Sequence, residues 1–203
     1  MKVPSGSRPA GPGRLRIIGG NWRSRRLRVA LSEGLRPTPD RVRETLFNWL
    51  QPWIDGANCL DLFAGSGALG LEALSRGAAR AVLVERDPEV IAALRFNVTE
   101  LNAIGAEVVA ADCMGYLQGA AQSFDIVFLD PPYRSGLLAG CCALLTDRGW
   151  VRSGGLVYLE APSGQEPVLP VGWVLVRSRR SGQVGYHLAR SGPQPAGSPP
   201  TTE

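Results

Sequence analysis

A chain of 203 residues with 44% hydrophobic and 20% charged residues is sized and composed for one ordinary globular domain with its own core. No apolar run approaches the roughly 18 residues of a membrane span, and the opening MKVPSGSRPAGPG lacks the apolar stretch of a secretory signal, so a cytoplasmic protein with no membrane partner is expected. The net charge of +4 is unevenly spread: residues 1–55 carry +7, residues 56–176 carry −6 and residues 177–203 carry +3, so the ends of the chain suit a polyanion.

Residues 1–13 and 191–203 are rich in Pro, Gly and Ser, bury nothing, and read as disordered tails. RLRIIGGNWRSRRLRVAL (14–31) reads as a basic β-hairpin, with Leu15 and Ile17 alternating with arginines and Gly19-Gly20-Asn21 supplying the turn. In LRPTPDRVRETLFNWL (35–50), Thr38 is the expected helix N-cap and Pro39 the first helical residue. Val42, Leu46, Trp49 and Leu50 then share one apolar face. From about residue 57 strands alternate with helices. NCLDLF, RAVLVE, AEVVAA, FDIVFLD and GGLVYLEA are the strands. ALGLEALSRG, PEVIAALRFNVTELNA, CMGYLQGAA and GLLAGCCALLTDRG are the helices, and GWVLVRSRRSGQVGYHLAR closes the chain as a hairpin. The expected fold is α/β: a mainly parallel sheet with helices on both faces and antiparallel strands at one side. The four cysteines (59, 113, 141 and 142) contain no C-x-x-C pair and are expected to be reduced thiols, with no metal site.

Gly65-Ser66-Gly67-Ala68-Leu69-Gly70 is a G-x-G-x-x-G between the first strand and its helix, where glycines allow close approach of a nucleotide. Phe63 and Ala64 lead into it. Glu85 ends the second strand twenty residues after Gly65, where a carboxylate can accept from both ribose hydroxyls. NAD would use such a loop for its pyrophosphate. S-adenosyl-L-methionine carries cations instead, and Asp61, an acid inside an apolar strand, is suited to its ammonium group; bracing of the loop is the plain structural alternative. Asp112 follows the third strand, where it can accept from an adenine amino group while the Cys113 N–H donates to the ring, or can cap the next helix.

Asp130-Pro131-Pro132-Tyr133 ends the fourth strand. The prolines stop the strand and fix the Asp130 carboxylate and the Pro131 carbonyl as two stationary acceptors. Two acceptors suit an exocyclic amino group, and Tyr133 offers a stacking face worth about 1–3 kcal/mol per base. Holding both N–H groups aims the nitrogen lone pair at an electrophile. A polar turn after a buried strand is the alternative.

LDLFAGSGALG followed by FLDPPY resembles the class I S-adenosyl-L-methionine-dependent amino-methyltransferases, and adenine-N6 enzymes acting on DNA share the latter motif. RIIGGNWRSRRL, RPTPDRVRETLFNWL and GALGLEALSRGA narrow the resemblance to the bacterial 16S rRNA guanine-N2-methyltransferases of the RsmD type, across residues 14–190. That resemblance implies a Rossmann-like, seven-stranded methyltransferase domain. Residues 14–55 form a basic hairpin and helix extension, and residues 56–190 form the core that binds S-adenosyl-L-methionine. The implied acceptor is one guanine (the position 966 type) of 16S rRNA in the small ribosomal subunit or an assembly intermediate, and the implied state is a monomer. Asp61, Phe63, Ala64, Gly65, Gly67, Glu85, Asp112, Cys113 and Asp130 would line the cofactor site. Asp130 to Tyr133 would hold the guanine amino group. Arg14, Arg16, Arg23, Arg25, Arg26, Arg36, Thr38 and Arg43 would face the RNA. Of the rivals, a DNA adenine-N6-methyltransferase is disfavoured because no separate target-reading domain is expected, and an NAD-dependent dehydrogenase fits the glycine loop but leaves Asp130-Pro131-Pro132-Tyr133 and the basic hairpin unexplained.

Overall fold

The computed structural model describes residues 15–30, 38–132 and 136–192. Arg14, Arg36 and Tyr133 lie outside the described residues. Strands β1 (Asn58–Asp61), β2 (Arg80–Glu85), β3 (Ala106–Ala110), β4 (Phe124–Leu129), β5 (Val151–Pro162), β6 (Val174–Ser181) and β7 (Val184–Arg190) form one sheet in the order β3-β2-β1-β4-β5-β7-β6. The first five run parallel, and β7 is antiparallel to both β5 and β6. The order steps outward from β1 to β3 on one side and restarts at β4 on the other. The carboxyl ends of β1 and β4 therefore flank the crevice where open α/β sheets take their ligands.

The inner strands β2, β4 and the second half of β5 are apolar runs because both faces of the sheet are covered there. Side chains alternate between the faces. Leu83, Ile126, Phe128, Leu156 and Tyr158 pack into one core with α1 (Asp40–Leu50), α2 (Gly70–Ser75) and Leu94 of α3 (Pro88–Glu100). Val82, Val84, Val127, Leu129, Val157 and Leu159 pack into the other with α4 (Cys113–Gln118) and α5 (Leu137–Asp147). Helix α3 starts as its sequence demands: Pro88 holds the first position and the Asp87 side chain accepts from the Glu89 and Val90 N–H groups.

Two local expectations are corrected. Residues 15–30 fold back on themselves but pair over less than a ribbon: the Ile17 N–H donates to the Arg25 carbonyl and the Leu27 N–H to the Leu15 carbonyl, each at 2.9 Å, which makes a single antiparallel bridge, Arg16 to Arg26, around a 3-10 turn at Gly20–Trp22. Three other amides of the segment are taken by α2. Ile18 and Gly19 donate to the two oxygens of Glu72 on α2 at 2.7 and 2.8 Å, and Trp22 donates to Ser75 Oγ at 2.9 Å. Thr38 is not the N-cap of α1 either; Pro39 occupies that position and the Thr38 hydroxyl points into the crevice. Among the described residues, no helix is long and apolar enough to cross a membrane and no cluster of His, Cys, Asp or Glu could hold a metal ion.

Candidate active site

The glycine loop turns directly off β1. Gly65 and Gly67 have φ of +51° and +84°, a region that costs residues with a Cβ. Gly70 serves packing: a Cβ there would sit 2.1 Å from Leu83 Cδ2, so only glycine lets α2 lie this close to β2. Three acids border the loop. Asp61 is buried and accepts from the Gly70 N–H at 3.1 Å and the Phe63 N–H at 3.4 Å. Glu85 accepts from the Gly65 N–H through one oxygen at 3.0 Å and from Arg86 and Asp87 through the other. Asp112 accepts from the Met114 and Gly115 N–H groups through Oδ1, so it caps α4. Both loop-bracing and helix-capping alternatives are thus present, and each carboxylate keeps lone pairs for a ligand.

Burial decides the charge state of Asp61. Loss of water pushes its carboxyl up to about 7, against the lowering effect of the two amide bonds, with the Glu85 charge adding to the rise. A cation placed beside this carboxyl would draw it into the charged form.

At the end of β4, Asp130 stands partly exposed at the crevice while its carboxyl is shielded, and Pro131 behind it is buried. Thr38 Oγ1 donates to Asp130 Oδ2 at 3.2 Å, which ties the segment before α1 to the end of the central strand. Desolvation, and then the neighbouring Glu160 charge, hold the Asp130 carboxyl well above the usual carboxylate range. An open hollow of about 340 Å³ lies further out, walled by Arg86, Pro88, Ile91, Arg95, Ala111 and Asp112. Of the predicted site residues, only Asp112 reaches it.

The family model described as "Conserved hypothetical protein 95" matches residues 15–190. The "Ribosomal RNA small subunit methyltransferase D" of Escherichia coli strain K12 is 51% identical over 189 residues, covering 93% of this chain and 94% of that protein. The chain belongs to the RsmD-type methyltransferase family. The solved structure of yhhF from Escherichia coli superposes with a TM-score of 0.84 at 49% identity, covering 90% of this chain and all of that one. An RNA methyltransferase from Salinibacter ruber, solved with S-adenosyl-L-homocysteine, shares the fold alone, with a TM-score of 0.60 at 19% identity over 83% of this chain and 99% of that one.

Within this RsmD-type fold, Asp61, Phe63, Ala64, Gly65, Gly67, Glu85, Asp112 and Cys113 lie at the carboxyl ends of β1, β2 and β3, on the loops that follow. Cys113 turns its thiol inward, 3.9 Å from that of Cys141, so only its backbone faces the crevice side. Arg16, Arg23, Arg25 and Arg26 are exposed on the extension. Arg43 is the exception among the expected RNA contacts. It is fully buried, donating to the Arg16 carbonyl at 2.9 Å and to Asp40 at 2.7 Å, with Glu72 at 3.8 Å. It cannot touch RNA; it anchors the extension.

Three residues that the sequence reading passed over hold this arrangement. Glu72 binds two extension amides together with Arg76. Asn97, on the buried face of α3, accepts from the Arg28 N–H and donates to the carbonyls of Arg28 and of Ser66 in the glycine loop. Glu160 ends up beside Asp130. Each is a polar residue at an apolar-face position, the same signal that drew attention to Asp61.

Proposed function

We propose that this chain transfers a methyl group from S-adenosyl-L-methionine to the exocyclic N2 amino group of one guanine in the 16S RNA of the small ribosomal subunit. The observation that carries this reading is the placement of Asp130: a carboxyl fixed by Thr38 and ended by two prolines, at the crevice that the glycine loop borders. The closely related protein from Escherichia coli, named for methylation of small-subunit ribosomal RNA, supports the choice of substrate.

The donor set fits the cofactor. The acid Asp61 behind the loop matches an ammonium or sulfonium better than a pyrophosphate, and Glu85 and Asp112 stand where ribose and adenine would be held. When bound, S-adenosyl-L-methionine supplies an electrophilic methyl group. The protein's part is orientation. Asp130 and the Pro131 carbonyl accept the two amino hydrogens, which turns the nitrogen lone pair out of conjugation with the ring and toward the methyl group. A new N–C bond forms as the C–S bond breaks, and the extra N–H proton leaves through Asp130 to water. The target base has to be turned out of its stack to enter the crevice.

Deleting the gene and analysing ribosomal RNA by mass spectrometry tests the substrate. Loss of a single N2-methylguanine from 16S RNA is expected, and an unchanged N2-methylguanine content would refute the assignment.

Asp61 makes cofactor affinity depend on pH. Its carboxyl is mainly neutral below about 7 and charged above it. A bound cation favours the charged form, so binding at pH 6 releases close to one proton and tightens as pH rises toward 7.5. Calorimetry in buffers of different ionisation enthalpy reads that proton; in Asp61→Asn the release and the pH dependence disappear together.

The exposed arginines predict a salt effect. Replacing Arg23, Arg25 and Arg26 together by Ala removes three phosphate partners, and each single-strand contact contributes about 0.7 to the slope of log K against log salt. A slope shallower by about 2 is therefore expected for binding to the small subunit. An unchanged slope would place the RNA on another face.

A further inference from the structure

The register that pairs Leu129 with Leu159 sets the next residues of the two strands, Asp130 and Glu160, side by side at the crevice end of the sheet. Glu160 is buried, at 3% exposure, and lies inside an otherwise apolar stretch of β5. Its Oε1 accepts the Tyr158 hydroxyl at 2.7 Å. Asp130 Oδ2 accepts the Thr38 hydroxyl. Each carboxyl thus has a hydroxyl donor on one oxygen, and the register sets the two acids side by side on neighbouring strands. Two shielded carboxyl groups so close favour one proton between them, because two ionised carboxylates in contact repel.

Resting on the methyl-transfer reading above, we infer that Glu160 is a positioning residue that takes up the shared proton of the pair when an amino group donates to Asp130. A donor at Asp130 favours the carboxylate there and pushes the proton onto Glu160. Asp130 then meets the amine as a fixed anion, and no proton has to leave for water beforehand. Among the described residues, the charged neighbours acting on Asp130 are acids, Glu160 from β5 and Asp61 from β1. The segment before α1 contributes the neutral Thr38, and on β7 the residue opposite Glu160 is Tyr186, whose ring stacks on Trp49 of α1. In the transfer itself the amino nitrogen gains carbon and loses a proton. That proton goes to the Asp130 carboxylate, briefly leaving both acids neutral, and then to solvent.

Two measurements test this. Carbon-13 NMR titration of carboxyl groups in the cofactor-free protein needs no RNA. Besides that of Asp61, one carboxyl with a raised midpoint is expected in the wild type, and this midpoint falls in both Asp130→Asn and Glu160→Gln while that of Asp61 stays raised. If each acid titrates at the same pH whether or not the other is present, the pair does not exist and the inference is overturned. The second measurement is turnover on small-subunit particles from the deletion strain, with melting temperature as a check on folding. Glu160→Ala is expected to lose tenfold or more. Glu160→Gln, which keeps the bond from Tyr158 and presents an N–H to Asp130 as a protonated Glu160 does, recovers most of that loss. A Gln variant as slow as the Ala variant while folded, or an Ala variant as fast as the wild type, would overturn the role of Glu160. If the wild type leaves the particles unmethylated, the reading of the substrate fails while the titration result stands.

Discussion

Asp130→Ala is expected to lower methyl transfer to the small subunit by about 10²–10³-fold, the usual cost of deleting one preorganised hydrogen-bonding group at a reacting centre. Cofactor affinity should stay within a few fold, because the loop amides, Asp61, Glu85 and Asp112 are untouched. The fold should hold as well. Asp130 is a shielded acid facing two other acids, and removing a buried charge of that kind is often neutral or stabilising. Single-turnover rates, calorimetric affinity and a thermal melt on the same preparation separate these effects. A rate near that of the wild type would show that the amino group is held elsewhere, and a variant that fails to bind cofactor would make Asp130 a cofactor residue.

The second large effect concerns stability. Glu72→Ala is expected to destabilise the protein by roughly 3–5 kcal/mol, the cost of breaking a buried ion pair by removing one partner. Arg43 is the reason. Its guanidinium is fully buried, Nε and Nη1 have no hydrogen-bond acceptor, and Glu72 lies within ion-pair distance of Nη1. Without Glu72 the buried cation keeps, among the described residues, only Asp40 as a charged partner, and the Ile18 and Gly19 amides lose their acceptor as well. Urea denaturation reads the loss. Hydrogen exchange should show Ile18, Gly19 and Trp22 opening before the sheet does. A loss below about 1 kcal/mol would mean that water replaces the carboxylate, contrary to its full burial.

The sheet was legible because its inner strands are apolar runs bounded by turn residues and some helices start with a recognisable signal, as at Asp87-Pro88 and Asp112. The places of the residues expected on the cofactor side were legible, because each ends a strand or follows one. What the sequence concealed is pairing across distance. Nothing near Thr38 reveals that its hydroxyl goes to Asp130 rather than to the first turn of α1. Arg43 looks like any helix arginine until Glu72, 29 residues later, is brought beside it. The alternation at 14–31 suggested a ribbon, yet the pairing stops at one bridge, and α2 takes the amides of Ile18, Gly19 and Trp22. Glu160 escaped notice because one acid in a strand reads as an edge residue until the neighbouring strand supplies another.

Asn97 bears on how such enzymes diversify. One buried amide satisfies both the glycine loop, at Ser66, and the basic extension, at Arg28. The extension is therefore not a detachable grip. Transplanting residues 15–30 onto another catalytic core to redirect it to a new RNA would leave Glu72, Ser75 and Asn97 behind, and the graft would lack its sockets. New target preferences should instead arise by changing the exposed arginine tips while the inward-facing backbone stays fixed.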